Sequence, residues 1–277
     1  MQNSFGARLT KTFELRGQLC VGIDPSAEQL SKWGLPLTAA GAEQFFMKIM
    51  ESCQDEVGIL KPQVAFFEQF GSQGFAVLER LLSRASHDGF TVIADAKRGD
   101  IGSTMDGYAR AWLASEGPFL ADAITVSPYL GSESLEETIS FASSSSKGIF
   151  ILAATSNPEA KALQSSEAAN KRSVASNVAS YAAKFNNEPL GSVGLVIGAQ
   201  ANLVDMAIDT SELESTPILA PGFGSQGAKL SNARSIFGKL CGVTIFNVAR
   251  SVAGDSPVGL LERVKSAKVE LEVGLSR

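Results

Sequence analysis

Eight short apolar segments recur along the chain with longer mixed segments between them, and this alternation constrains the fold more than any other feature. The strand-like segments span 19–23, 58–60, 91–95, 121–126, 148–153, 193–198, 217–220 and 243–248. Short, near-continuous apolar runs of this kind read as strands buried on both faces. Within 75–85, Phe75, Leu78, Leu82 and Ala85 fall on one helical stripe, and Gly89 follows where such a helix would stop. Strand–helix alternation implies a parallel sheet with right-handed crossovers. Eight units in 277 residues predict a closed α/β barrel, the (β/α)8 TIM barrel, rather than an open doubly wound sheet. No linker-like shift in composition divides the chain, so a single domain over 1–277 is expected. Two segments depart from the pattern. The serine run 143–146 is expected to form a solvated turn, and 156–172, rich in Asn, Ser, Glu and Ala, is a candidate lid after the fifth strand.

A barrel of this type gathers its chemistry at the C-terminal ends of its strands. Strand three is the richest. Its apolar run leads into Asp95-Ala-Lys97-Arg-Gly-Asp100-Ile-Gly-Ser-Thr104. Asp95 and Lys97 are two positions apart, so on a strand they share one face with Ile93. Asp100 falls just beyond the strand end, where Gly99 and Gly102 permit a tight turn. Two carboxylates flanking one amine are costly there unless the charges are paired or used. A structural use, a buried ion pair with Asp100 capping the next helix, explains the same residues. Lys61 directly follows Gly-Ile-Leu and needs a counter-charge, for which Asp95 is the natural candidate. An array of Lys61, Asp95, Lys97 and Asp100 would keep both lysines protonated.

Other strand ends are polar as well. Strand one ends in Asp24-Pro25 and strand five in Thr155-Ser156-Asn157-Pro158, sequences that also open turns. After strand seven comes Gly222-Phe-Gly224-Ser-Gln226-Gly227, and strand eight leads to Arg250. Loops seven and eight of these barrels often hold phosphate. Glycines admit an anion close to backbone N–H groups, a following helix adds its positive end, Gln226 can donate, and Arg250 offers a fork for phosphate oxygens.

Composition removes several alternatives. Net charge is −5 with no dense Lys/Arg block, which argues against a nucleic-acid partner. Cys20, Cys53 and Cys241 are far apart and form no CxxC, so neither a disulfide framework nor a thiolate metal site is expected. The single histidine, His87, suits the C-terminal end of a helix, where a cation complements the dipole. A Ser-His-Asp triad or a His-ligated metal would have to rest on it alone. Residues 1–11 carry no apolar signal core, and no run approaches the roughly 20 residues needed to span a bilayer. A cytoplasmic location without membrane contact is expected.

Together these residues resemble the orotidine 5′-phosphate decarboxylase family. The match is carried by the strand-three signature Asp95-x-Lys97-x-x-Asp100-Ile-Gly-x-Thr104. Asp24, Lys61, a hydroxyl after strand five, the 222–227 loop and Arg250 follow in the family's order. The Lys61-Pro-Gln-Val-Ala-Phe-Phe-Glu68 segment looks like the family's longer subgroup. The resemblance implies a cofactor-free, metal-free conversion of orotidine 5′-phosphate to uridine 5′-phosphate and CO2, late in pyrimidine synthesis. It makes Lys97 the proton donor to C6, sets Asp95 against the departing carboxylate, and has Lys61 complete the charge array. Asp24 would hold ribose hydroxyls, Ser156 (or the adjoining Thr155) the pyrimidine edge, and Gln226 and Arg250 the phosphate. It also implies a homodimer in which Asp100 and Thr104 serve the neighbouring subunit's site. The nearest rival is a metal-dependent sugar-phosphate decarboxylase or aldolase of the same barrel type. That rival fits less well, because it places an acidic metal ligand where Lys61 stands.

Overall fold

Strands β1 (Leu19–Ile23), β2 (Ile59–Pro62), β3 (Thr91–Arg98), β4 (Ala123–Val126), β5 (Gly148–Ala154), β6 (Val193–Ile197), β7 (Ile218–Ala220) and β8 (Thr244–Val248) pair in parallel, each with the next. β8 returns to β1 with Leu19 opposite Phe246, which closes the barrel. The computed structural model describes residues 4–276. Strands β1, β2, β4, β6, β7 and β8 are buried along their whole length, as expected of a sheet covered on both sides. The predicted (β/α)8 architecture is therefore the observed one.

The helix predicted around 75–85 spans Gly71–His87 and buries Leu78, Leu82 and Ala85 together with Val77 and Leu81. Its last turn carries Arg84 and His87, and Gly89 closes it at φ +83°, a conformation open to glycine at little cost. The serine run divides. Ser143 and Ser144 finish the helix Glu136–Ser144, and Ser146 makes the turn at φ +56°. The three cysteines are free and buried. Among the described residues no helix is long and apolar enough to cross a membrane.

Before β1, the helix Phe5–Arg16 covers the N-terminal end of the barrel. Phe5 packs edge-on against Phe150, and a Cβ at Gly148 would lie 2.4 Å from the Phe5 ring, so only glycine fits there. Arg8 pairs with Asp122 at 2.9 Å, and Asp122 also accepts the Val92 N–H. The opposite end stays open.

Strand extents differ from expectation at the open end. β2 includes Lys61 and Pro62, and β3 runs on to Arg98. An apolar run ends where polar residues begin, but a strand at a barrel mouth continues as long as its ladder is satisfied. The ladder here is irregular. Ala94 pairs with Ile124 and Arg98 with Val126, so three residues of β3 face one residue of β4. This bulge re-aims side chains at the mouth.

Candidate active site

A cavity of about 520 Å³ opens at the C-terminal end of the barrel. Asp24, Lys61, Asp95 and Lys97 line it from β1, β2 and β3. Asp95 lies between the two lysines. Its Oδ2 is 2.9 Å from Lys61 Nζ and its Oδ1 is 2.5 Å from Lys97 Nζ. Thr125 donates its hydroxyl to the same Oδ1 at 2.9 Å. Burial pushes the Asp95 carboxyl up, but the two ammonium groups outweigh it and hold the group well below the usual carboxylate range. Lys61 is only 4% exposed. Burial pulls its pKa down, and Asp95 and Asp24 more than reverse this, so its ammonium is held charged.

Lys97 reaches Asp95 through an unusual backbone, at φ +49°. The sequence predicts ordinary strand alternation for this pair. The observed geometry brings both side chains to one place, but by a left-handed residue inside the bulge. Its neighbours fix that turn. The Lys97 N–H donates to Thr125 Oγ1 at 2.9 Å, and the Ser127 N–H donates to the Arg98 carbonyl at 2.7 Å. The Arg98 guanidinium pairs with Glu68 and lies 5.4 Å from the Tyr108 ring centroid. Gly99 approaches the β4 end so closely that a Cβ would sit 2.6 Å from the Ser127 carbonyl oxygen. Backbone strain of this kind, at a charged residue in a cavity, is characteristic of functional sites.

Asp24 differs from Asp95. Burial raises its pKa, with Lys61 as the main opposing influence, and its buried Oδ1 accepts no hydrogen bond among the described residues. A buried carboxylate oxygen without a donor is suited to a hydroxyl-bearing ligand.

Farther along the cavity lie Gly222, Gln226 and Arg250. Gly222, Gly224 and Gly227 all have positive φ (110°, 73° and 111°), so the loop requires glycine at each. Arg250 is exposed and opens the short helix Arg250–Ala253. That four-residue helix faces the cavity. The helix Ala233–Phe237, which follows the loop in sequence, contributes no residue to the cavity lining, so the helix expected to add its positive end there does not do so.

Both hydroxyls after β5 line the cavity, but they differ in commitment. Thr155 Oγ1 donates to Asn157 and accepts from Gln164 at 3.0 Å, while the Thr155 N–H donates to Gln164 Oε1. Gln164 belongs to the short helix Ala160–Gln164 of the candidate lid, which this clasp ties to the mouth.

Asp100 and Thr104 do not line the cavity of their own chain. Asp100 accepts the Ile101 N–H, and Thr104 is exposed on the helix Gly102–Leu113. Of the array expected from sequence, Lys61, Asp95 and Lys97 meet within one chain, Asp24 lines the cavity with them, and Asp100 lies outside it. Asp100 does not cap the helix either, since no side chain does so at its start. Sequence reasoning missed two residues of the array's surroundings. Gln63 lies two positions beyond Lys61, and its amide contacts the Asp95 carbonyl at 3.3 Å and Lys97 Nζ at 3.5 Å. The i+2 spacing from Lys61 is the signal that could have found it. Thr125 is one threonine within an apolar strand, and nothing local marks it.

Fold and site together define a (β/α)8-barrel protein with a lysine–carboxylate array at one side of its mouth and a glycine-rich loop at the other. Comparison with known proteins gives the family. The profile of the orotidine 5′-phosphate decarboxylase / HUMPS family matches residues 17–260, and the chain belongs to that family. Orotidine 5′-phosphate decarboxylase of Streptomyces coelicolor is 43% identical over 271 residues, covering 97% of this chain and 96% of the relative. The Corynebacterium efficiens protein of that name is 44% identical, covering 93% and 92%. Among solved structures, a Streptomyces avermitilis chain described by the same enzyme name superposes with a TM-score of 0.94 at 41% identity, covering 99% and 97%. Leishmania donovani OMP decarboxylase superposes with a TM-score of 0.72 at 30% identity, covering 96% and 99%.

Proposed function

We propose that this chain converts orotidine 5′-phosphate to uridine 5′-phosphate and CO2 in pyrimidine synthesis, without metal or cofactor, and that Lys97 protonates C6. One observation carries the mechanism: an ammonium group fixed by Asp95 at the mouth of the barrel. When the C6–carboxylate bond breaks, CO2 leaves and the electron pair stays on C6, a carbon without π-delocalisation. A cation already in position stabilises that charge as it develops, which raises kcat rather than ground-state binding. A preorganised donor of this kind is worth about 3 kcal/mol or more. Lys97 Nζ then gives its proton to C6 and recovers one from solvent.

The other residues take roles that suit their surroundings. The unpartnered Oδ1 of Asp24 accepts from ribose hydroxyls. Lys61 keeps Asp95 charged against the departing carboxylate. Ser156 meets the pyrimidine edge, because Thr155 Oγ1 is already engaged on both sides. Gln226 and Arg250 hold the phosphate beside the glycine loop. Lys61 and Lys97 accompany the mouth's carboxylates, a donor set that favours an anionic substrate over a bound cation.

The active unit in this reading is a cytoplasmic homodimer with shared sites, to which Asp100 and Thr104 contribute across the interface. Ile101, 60% exposed beside Asp100, and the exposed Tyr129 and Leu130 supply apolar surface for a second copy. The test is CO2 release from orotidine 5′-phosphate with and without a chelator. Stoichiometric CO2 and uridine 5′-phosphate, unchanged by chelation, are expected. Absence of turnover sinks the proposal, and loss of turnover on chelation transfers it to a metal-dependent relative.

A further inference from the structure

Resting on the decarboxylase reading, we propose that Thr125 is a positioning residue for the reaction, setting both the backbone of Lys97 and the orientation of the Asp95 carboxylate. The β3–β4 ladder is the starting point. Between the pairs Ala94–Ile124 and Arg98–Val126, Asp95, Ala96 and Lys97 face Thr125 alone. A regular ladder cannot serve three residues from one, and backbone N–H groups in such a place need another acceptor. The Thr125 side chain supplies it, accepting the Lys97 N–H at 2.9 Å. The same hydroxyl spends its single proton on Asp95 Oδ1, also at 2.9 Å. Asp95 Oδ1 is the oxygen that holds Lys97 Nζ. One atom therefore fixes the lysine at its backbone, and through the carboxylate at its charged end.

The consequence is geometric. Lys97 sits at φ +49°, a conformation that persists only where its surroundings over-determine it. Its side chain is 46% exposed, so packing alone does not hold it. Thr125 is 1% exposed within β4, which makes its hydroxyl a buried reference point for a half-exposed lysine. Small displacements of a positioned group cost rate far more than they cost binding.

The experiment uses the full chain with Thr125→Val, which keeps the shape and removes the hydroxyl, and Thr125→Ser, which keeps the hydroxyl. Wild-type turnover is recorded first, because its absence defeats the decarboxylase reading independently of Thr125. With an active wild type, Thr125→Val is expected to lower kcat about 10–100-fold with KM and uridine 5′-phosphate affinity within about threefold. Thr125→Ser is expected to restore most of kcat. If Thr125→Val does not fold, Thr125→Cys, a weak donor of similar size, is expected to show the same split in milder form. Wild-type kcat in the valine or cysteine variant overturns the proposal. So does a loss in kcat and ligand affinity together that serine fails to rescue, since that pattern belongs to a merely structural residue.

Discussion

Lys97 Nζ lies 2.5 Å from Asp95 Oδ1 although the lysine backbone is left-handed, so the ion pair is made across a bulge rather than along a regular strand. The pair places an ammonium at one part of the cavity wall, while Gly222, Gln226 and Arg250 line another. Removing the amine should therefore separate chemistry from binding. Lys97→Ala is expected to lower kcat by at least about 100–1,000-fold. Uridine 5′-phosphate affinity, measured by calorimetry, should stay within about tenfold of wild type. A variant with comparable turnover would refute the proton-donor role.

The Asp95–Lys61 contact has a pH signature. Asp95 titrates in the folded chain well below its unfolded value of about 3.9, so its stabilising effect is complete above that pH. It is lost as pH falls through the folded value. Lys61 behaves oppositely, with a contribution present below about 10.4 and lost only as pH rises above its raised folded value. Asp95→Asn leaves Lys61 buried without its direct partner and is expected to cost about 3 kcal/mol or more at neutral pH. Urea unfolding at pH 7 and pH 3 checks this. The wild type should lose more stability on acidification than Asp95→Asn does, and equal losses would show that Asp95 is not the group responsible.

The barrel was legible because parallel strands buried on both faces announce themselves as apolar runs, as at 19–23 and 193–197. The mouth was only partly legible. Lys61 and Lys97 stand out as cations next to buried strands, but the extension of β3 to Arg98 and the left-handed turn at Lys97 did not. No glycine marks that turn. It is held by Thr125, Glu68 and Ser127, contacts between residues about 30 positions apart that no local pattern records. The commitment of Thr155 to Gln164 is of the same kind. Spacing finds residues that share an element, and it does not find partners that meet only once the barrel closes.

Arg250 and the glycine loop allow a test of the anion end. A charge-assisted hydrogen bond to phosphate contributes about 1.5–3 kcal/mol, so Arg250→Ala is expected to weaken uridine 5′-phosphate binding about 10–100-fold. Uridine, which lacks the phosphate, should bind wild type and variant alike. An equal loss for both ligands would place Arg250 against the nucleoside. Gly224→Ala should weaken the phosphate ligand in the same selective way, because a Cβ at φ +73° would stand 2.3 Å from Ser251 Oγ and displace the loop.

Asp100 lies outside the cavity of its own chain, beside the 60%-exposed Ile101, which makes subunit mixing informative. If each site needs Lys97 from one subunit and Asp100 from the other, Asp100→Asn and Lys97→Ala homodimers are both inactive. In a heterodimer of the two, one site carries both defects and the other carries neither. Random re-association of equal amounts makes half the dimers mixed, so about a quarter of all sites should regain activity. Denaturation and refolding of the mixture, with heterodimers verified by differential tags, gives the measurement. No recovery in verified heterodimers would assign Asp100 to its own subunit's site, and full activity of the Asp100→Asn homodimer would remove it from the site altogether.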